Sequence, residues 1–255
     1  MIIKDEKISA FASTADEAEI SRFNKLAEEW WKPKGAFKVV HAFNAARVKK
    51  LSDSLPFLMG QDCKSTQPLS GLTLLDVGCG AGIVSEPIAK LGADITAIDA
   101  SERNVLIARQ HAEKTGVNID YKHALPEEIA SSGKKFDIVT SLEVIEHVAD
   151  PAIFLNILAR LVKPGGILVI GTLNRTPVSF VKAIIGAEYI MRWLPKGTHD
   201  WRKFVKPREM DEELIPLGFS VEDSCGVDLN PLTGEWRITE NLSSIYMRLY
   251  RHNRY

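Results

Sequence analysis

An apolar run, Leu74-Leu75-Asp76-Val77, feeds directly into three glycines on alternate positions, Gly78, Gly80 and Gly82. A run that short suits a buried strand, and glycine after it lets the backbone turn with positive φ and a ligand approach without Cβ interference. A second apolar run, 95–98, ends in Asp99, about 20 residues on, the usual place for a carboxylate that binds ribose. Strand, glycine turn, helix, strand and acid together predict a parallel sheet with a ligand at its carboxyl edge. A dinucleotide is a poor fit. Ile83 stands where that fingerprint needs its third glycine, and Asp76 would repel a pyrophosphate; a carboxylate there suits a cationic ligand.

The rest of the chain extends this pattern. Strands are expected at 73–77, 95–98, 136–140 and 167–172, with helices around 84–91, 104–115 and 152–161 between them. Alternation of this kind implies right-handed crossovers and an open α/β sheet covered on both faces. Before it, Ser13 or Thr14 is placed to cap a helical stretch that runs to Leu51, broken at Pro33 and Gly35. Residues 52–70, rich in Ser, Pro, Gly, Asp and Gln, read as a loop. Further strands are expected at 219–225 and 244–251. The expectation is one domain over 1–255: a helical cap and linker (1–70), a cofactor-binding core (71–175), and a substrate-side insertion with closing strands (176–255).

Composition narrows the function classes. The 255 residues carry 32 Lys+Arg against 33 Asp+Glu, so no bulk field draws in nucleic acid. Cys63, Cys79 and Cys225 are scattered, without metal-ligand spacing, which fits a reducing compartment. The first residues hold no apolar signal region, and no stretch reaches spanning length. A cytoplasmic protein is the expectation.

The string Asp76-x-Gly78-x-Gly80-x-Gly82 resembles the cofactor loop of class I S-adenosylmethionine-dependent methyltransferases, and Leu161-Val162-Lys163-Pro164-Gly165-Gly166 resembles the turn before their fifth strand. Denser strings lie elsewhere: Leu26-Ala27-Glu28-Glu29-Trp30-Trp31, Asn44 with Arg47, Glu143-Val144-Ile145-Glu146-His147, Thr172-Leu173-Asn174-Arg175 and Gly197-Thr198-His199-Asp200-Trp201. From about Ile20 onward the chain is similar to the ubiquinone biosynthesis O-methyltransferases, departing mainly in a longer link between Leu51 and Gly71. The resemblance implies a Rossmann-like fold, with a mostly parallel seven-stranded sheet, helices on both faces and an N-terminal helical cap. It also implies S-adenosyl-L-methionine as cofactor and methylation of phenolic hydroxyls on 2-polyprenyl-6-hydroxyphenol and 3-demethylubiquinol. In this chain Arg47 would hold the cofactor carboxylate, Gly78 would lie against the methionyl group, and Asp99 would bind ribose. Leu142 would line the adenine pocket, with Asp76, Gly80 and Gly82 completing the cradle. An enzyme for another small phenol, or a non-catalytic cofactor-binding subunit of a quinone-synthesis complex, is the alternative.

A phenol with a pKa of about 10 is mostly protonated at neutral pH, so a base or a metal should assist. Glu143, Glu146 and His147 share one face if their turn is helical, and such a set suits Mg²⁺ with water completing the shell. Without a metal, His147 is the first candidate base and His199 the second. The stretch 177–194 is highly apolar with basic flanks, which makes it a candidate contact with a membrane surface, possible only peripherally, on the inner face of the cytoplasmic membrane.

Overall fold

Successive buried side chains along the central strands point to opposite faces and so build two cores, one on each side of a sheet. The computed structural model describes residues 14–31, 38–182, 184–185, 200–230 and 233–254. On β1 (Thr73–Val77) Leu75 and Val77 face one core and Leu74 the other. β5 (Val162–Leu173) divides in the same way, with Leu168 and Ile170 on the first face and Ile167 and Val169 on the second. Helices α6 (Pro151–Leu161) and α8 (Pro207–Leu214) close the first face with Phe154, Leu158, Met210 and Leu214. The second is closed by α2 (Lys38–Leu58), α3 (Ser85–Ala89) and α4 (Glu102–Thr115), through Leu51, Leu55, Ile88, Val105 and Ala108.

The described residues form eight strands rather than the expected seven. With β2 (Asp94–Asp99), β3 (Asp120–His123), β4 (Phe136–Leu142), β6 (Phe219–Leu229), β7 (Trp236–Thr239) and β8 (Ile245–His252), the order is β3-β2-β1-β4-β5-β8-β6-β7. β1 to β5 pair in parallel, while β8 pairs antiparallel with β5 and β6. The additional strand is β7, an edge strand held by β6 alone. Strand order reverses between β1 and β4, and in open sheets ligands bind at the carboxyl edge beside such a reversal.

Two helical expectations change. α1 (Glu17–Leu26) is capped by Asp16, whose carboxylate accepts from the Ala18 and Glu19 N–H groups at 3.0 and 3.4 Å, not by Ser13 or Thr14. α2 does not stop at Leu51 but continues through Pro56 to Leu58. Leu51 and Leu55, four residues apart and fully buried, hold that extra turn against the core. Pro56, two residues before the helix ends, has no N–H to donate back along the helix, but beyond it Met59 N–H still donates to Leu55 O at 2.9 Å. α4 begins at Ser101, whose Oγ accepts from Asn104 N–H, and ends at left-handed Gly116. The two remaining helices are α5 (Pro126–Ser131) and the short α7 (Pro177–Ser179).

Candidate functional site

A cavity of about 880 Å³ opens at the carboxyl edge of β1, β2 and β4, beneath α1 and α2. Its floor is the glycine loop. Gly78, Gly80 and Gly82 have φ of 77, 54 and 85°, a region that side chains disfavour. A Cβ on Gly78 would lie 2.2 Å from Val144 Cγ2, so bare backbone is required there. Gly82 does not face the cavity; a Cβ on it would meet the Tyr121 hydroxyl at 2.2 Å. Its glycine is needed for packing beneath the loop.

Asp99 braces the same loop. Its Oδ2 accepts from Gly80 N–H and its Oδ1 from Ser101 N–H, both at 2.8 Å, with Asn104 Nδ2 donating to Oδ1 at 3.3 Å. Burial pushes its carboxyl up, and the Ser101 and Gly80 N–H groups pull against that. Asp76 lies deeper, 4% exposed. It accepts from Ser85 Oγ at 2.6 Å and Thr140 Oγ1 at 2.8 Å, tying α3 to β4. Burial raises its carboxyl as well, opposed by those two hydroxyls. Asp76 lines the cavity with each oxygen accepting one hydrogen bond from the protein.

Sequence reasoning marked Trp30 and Trp31 only as part of a string shared with the family and gave them no place in the site; they roof the loop. Trp30 lies over Gly80, 3.4 Å from where a Cβ would be, and its Nε1 donates to Asn104 Oδ1 at 3.1 Å. Trp31 Nε1 donates to Ala81 O at 2.9 Å, and the ring stacks on His111 at 3.4 Å. Adjacent tryptophans thus clasp the loop from above. The signal was their pairing at the end of a helix, a place where tryptophan is seldom needed for the core alone.

Arg47, Leu142, Glu143, Glu146 and His147 line the cavity's other side. Leu142 ends β4 and packs against Gly171. Arg47 is buried, with Nη1 2.9 Å from Glu143 Oε1 and Nε 3.2 Å from Asn44 Oδ1. Its guanidinium stands 3.9 Å from the Phe43 ring centroid. Burial pushes its pKa down, while Glu143, Glu146 and Asp76 support the charge.

The three proposed metal ligands diverge. Their turn is a tight helix of three residues, Ile145–His147, and Glu143 precedes it in the left-handed conformation, φ 57°. Glu143 consequently turns to Arg47. Glu146, 3% exposed, accepts from Thr172 Oγ1 at 2.8 Å, and burial followed by the charge of Glu143 raises its carboxyl well above the usual range. His147 Nδ1 lies 3.0 Å from Glu19 Oε2 on α1, and the His147 hydrogen bond holds the Glu19 carboxyl low. Among the described residues no group of three or more His, Cys, Asp or Glu side chains is placed to share an ion. A carboxyl bound by the Thr172 hydroxyl and a carboxylate engaged by arginine, on side chains that diverge, are a poor donor set for Mg²⁺, so this arrangement does not fit that metal. His199, the second candidate base, lies outside the described residues.

Comparison with known proteins then decides the family. A family model described as a methyltransferase domain matches residues 43–224. The ubiquinone biosynthesis O-methyltransferase of Azorhizobium caulinodans is 44% identical over 234 residues, 92% of each chain. That of Cereibacter sphaeroides is 45% identical over 233 residues, 91% of this chain and 94% of the relative. The chain belongs to the ubiquinone biosynthesis O-methyltransferase family. Solved structures agree on the fold. The magnesium protoporphyrin IX methyltransferase of Synechocystis PCC 6803 with bound SAH gives a TM-score of 0.62 at 20% identity, covering 91% of this chain and 94% of that one. The same enzyme with bound SAM gives 0.59 at 18% identity, covering 95% and 100%.

Proposed function

We propose that this chain transfers the methyl group of S-adenosyl-L-methionine to a phenolic oxygen of polyprenylated ubiquinone precursors, 2-polyprenyl-6-hydroxyphenol and 3-demethylubiquinol. The observation that carries the reading is one continuous cavity running from Asp99 across Gly78 to His147, in a chain 44% identical to a family so named. Asp99 Oδ2, which accepts one bond from Gly80 N–H, retains accepting capacity for a ribose hydroxyl. Gly78 offers bare backbone to the methionyl part, Leu142 an apolar wall beside adenine, and Arg47 a cationic fork for the carboxylate. The residues present fit this cofactor, whose sulfonium supplies an activated methyl carbon.

The protein's task is alignment and proton removal. With the cofactor bound, its methyl carbon would be available to the phenolic oxygen, and the phenolic proton would pass to a base of the protein. His147 is the proposed base: donating Nδ1–H to Glu19 places the basic lone pair on Nε2. His199 is the second candidate for the same role.

The substrate's tail requires access to lipid. Among the described residues no helix is long and apolar enough to cross a membrane. In the proposed membrane contact, 177–194, the described residues Val178, Phe180, Val181 and Ile185 are 42, 41, 54 and 39% exposed. Exposed apolar side chains of this density support reversible docking on a membrane surface from the cytoplasmic side. The remainder of that segment lies largely outside the described residues. The deciding experiment is transfer of labelled methyl from S-adenosylmethionine to a prenylated catechol. Cofactor binding without transfer would favour a non-catalytic subunit of a quinone-synthesis complex.

A further inference from the structure

Away from the glycine loop the cavity changes character. Its far walls are Val40 and Phe43 from α2, Val227 and Leu229 from β6, and Trp236 from β7. Phe43 and Val227 are buried, and the Phe43 and Trp236 rings meet at 4.9 Å between centroids, tilted by 58°. Phe43 also carries the Arg47 guanidinium at 3.9 Å. One aromatic ring therefore marks the border, with the ion pair of the reaction centre on one side and an apolar corridor on the other. At the rim, Lys182 Nζ pairs with Asp228 Oδ1 at 2.5 Å. Val181, next to Lys182, is 54% exposed, so the corridor opens beside the exposed apolar residues Val178, Phe180 and Val181.

β7 builds this wall. It is the edge strand, bound to the sheet through β6 only, and its residues are no more than half-buried. Its Ile238 packs against the second core, while Trp236 sits against Phe43 within the cavity lining. Apolar cavity walls favour a ligand that covers them with apolar surface, and a tail of repeated isoprene units is such a ligand.

We infer that the corridor between α2 and the β6–β7 hairpin receives the isoprenoid tail of the acceptor, and that Trp236 is a specificity-determining residue for prenylated over tail-less catechols. The inference rests on the O-methylation reading and adds the subsite that distinguishes its substrates. The polar ring stays at the Arg47–His147 end while the tail crosses Phe43 and leaves past Trp236 toward the apolar rim.

The test compares kcat/KM for a catechol bearing a short isoprenoid tail with that for a methyl-substituted catechol, in wild type, Trp236→Ala and Leu229→Asn. S-adenosylmethionine affinity by calorimetry, at the opposite end of the cavity, serves as the folding criterion. The expected result is a wild-type preference for the prenylated acceptor that falls at least tenfold in Trp236→Ala and in the same direction in Leu229→Asn. If Trp236→Ala does not bind the cofactor, Leu229→Asn alone is decisive. Equal losses on both acceptors would show a merely structural wall and overturn the corridor, leaving O-methylation intact. Failure of wild type to methylate either catechol would overturn the O-methylation reading and the corridor with it.

Discussion

Arg47 on α2 and Glu143 at the end of β4 meet across the cavity with Nη1 2.9 Å from Oε1, although 96 residues separate them in sequence. Glu143 is the only non-glycine residue with positive φ among the described residues, and a left-handed residue costs about 1–2 kcal/mol. Its N–H donates to Gly171 O at 2.8 Å and its carboxylate engages Arg47, which together hold the conformation. Strain concentrated at a ligand cavity is a mark of function. The pair is asymmetric: the arginine side chain is 4% exposed and the glutamate 26%. Removing the glutamate strands a buried charge; removing the arginine leaves a partly hydrated one. Glu143→Ala is therefore expected to cost about 3 kcal/mol in denaturant titrations of the cofactor-free protein, and Arg47→Met less. The reverse order would show that Glu143 does not support Arg47.

Gly78→Ala tests the floor of the cavity. The new methyl would overlap Val144 Cγ2, at 2.2 Å, in a backbone conformation that alanine disfavours. Cofactor affinity should fall by about tenfold or more while the fold persists, since a misfit of this size is typically worth about 1–3 kcal/mol. Adding Val144→Ala removes the overlap but not the φ penalty, so rescue should be partial. Full rescue would assign the whole effect to the overlap.

Asp99 joins the loop to β2, and its remaining accepting capacity faces the cavity. Asp99→Asn is expected to weaken S-adenosylmethionine binding by about 1–2 kcal/mol, the cost of losing one charged hydrogen bond. Calorimetric titration measures it. An unchanged affinity would leave Asp99 with the loop-bracing role alone.

For His147→Ala the expectation is a fall in kcat of about 10²–10⁴, the usual contribution of a general base, with cofactor affinity retained. Glu19→Gln, which removes the charge 3.0 Å from Nδ1 but keeps a hydrogen-bonding partner, should lower kcat less. Loss of cofactor binding in both variants, with the rate of bound enzyme unchanged, would make the pair a tether for α1 instead.

The parts of this structure legible in the sequence are those governed by local rules. The apolar runs, the glycines after β1 and the acid ending β2 fixed the central strands and the ligand edge, because each is a short-range consequence of burial or φ. β3 escaped notice because Asp120-Tyr121-Lys122-His123 has only Tyr121 buried, and β7 because Trp236–Thr239 is a four-residue edge strand with no fully buried residue. α2 outran its expected end because tertiary burial of Leu55 outweighs the local turn signals around Pro56. The expected Glu143–Glu146–His147 face failed for a long-range reason: Arg47 and Glu19, distant in sequence, draw two of the three side chains apart.

Asp137 gives the pH dependence of stability. At the start of β4 its Oδ2 accepts from Thr73 N–H at 2.9 Å, Thr73 Oγ1 at 2.6 Å and Lys163 Nζ at 2.8 Å, joining β1, β4 and β5. Burial raises its carboxyl, but the hydrogen bonds from Lys163 and Thr73 outweigh it and hold the pKa below the ordinary 3.8. A group with a depressed folded pKa contributes stability above its unfolded pKa and loses it as pH falls through the folded value. Wild type should thus exceed Asp137→Asn by about 1 kcal/mol at neutral pH, a modest figure because Lys163 is 41% exposed. The difference should shrink as pH falls below about 4, where the carboxyl begins to protonate in the unfolded chain and then in the folded one. Denaturant titrations of both proteins across that range provide the measurement. A gap constant with pH would mean that Asp137 acts through its shape and neutral hydrogen bonds alone.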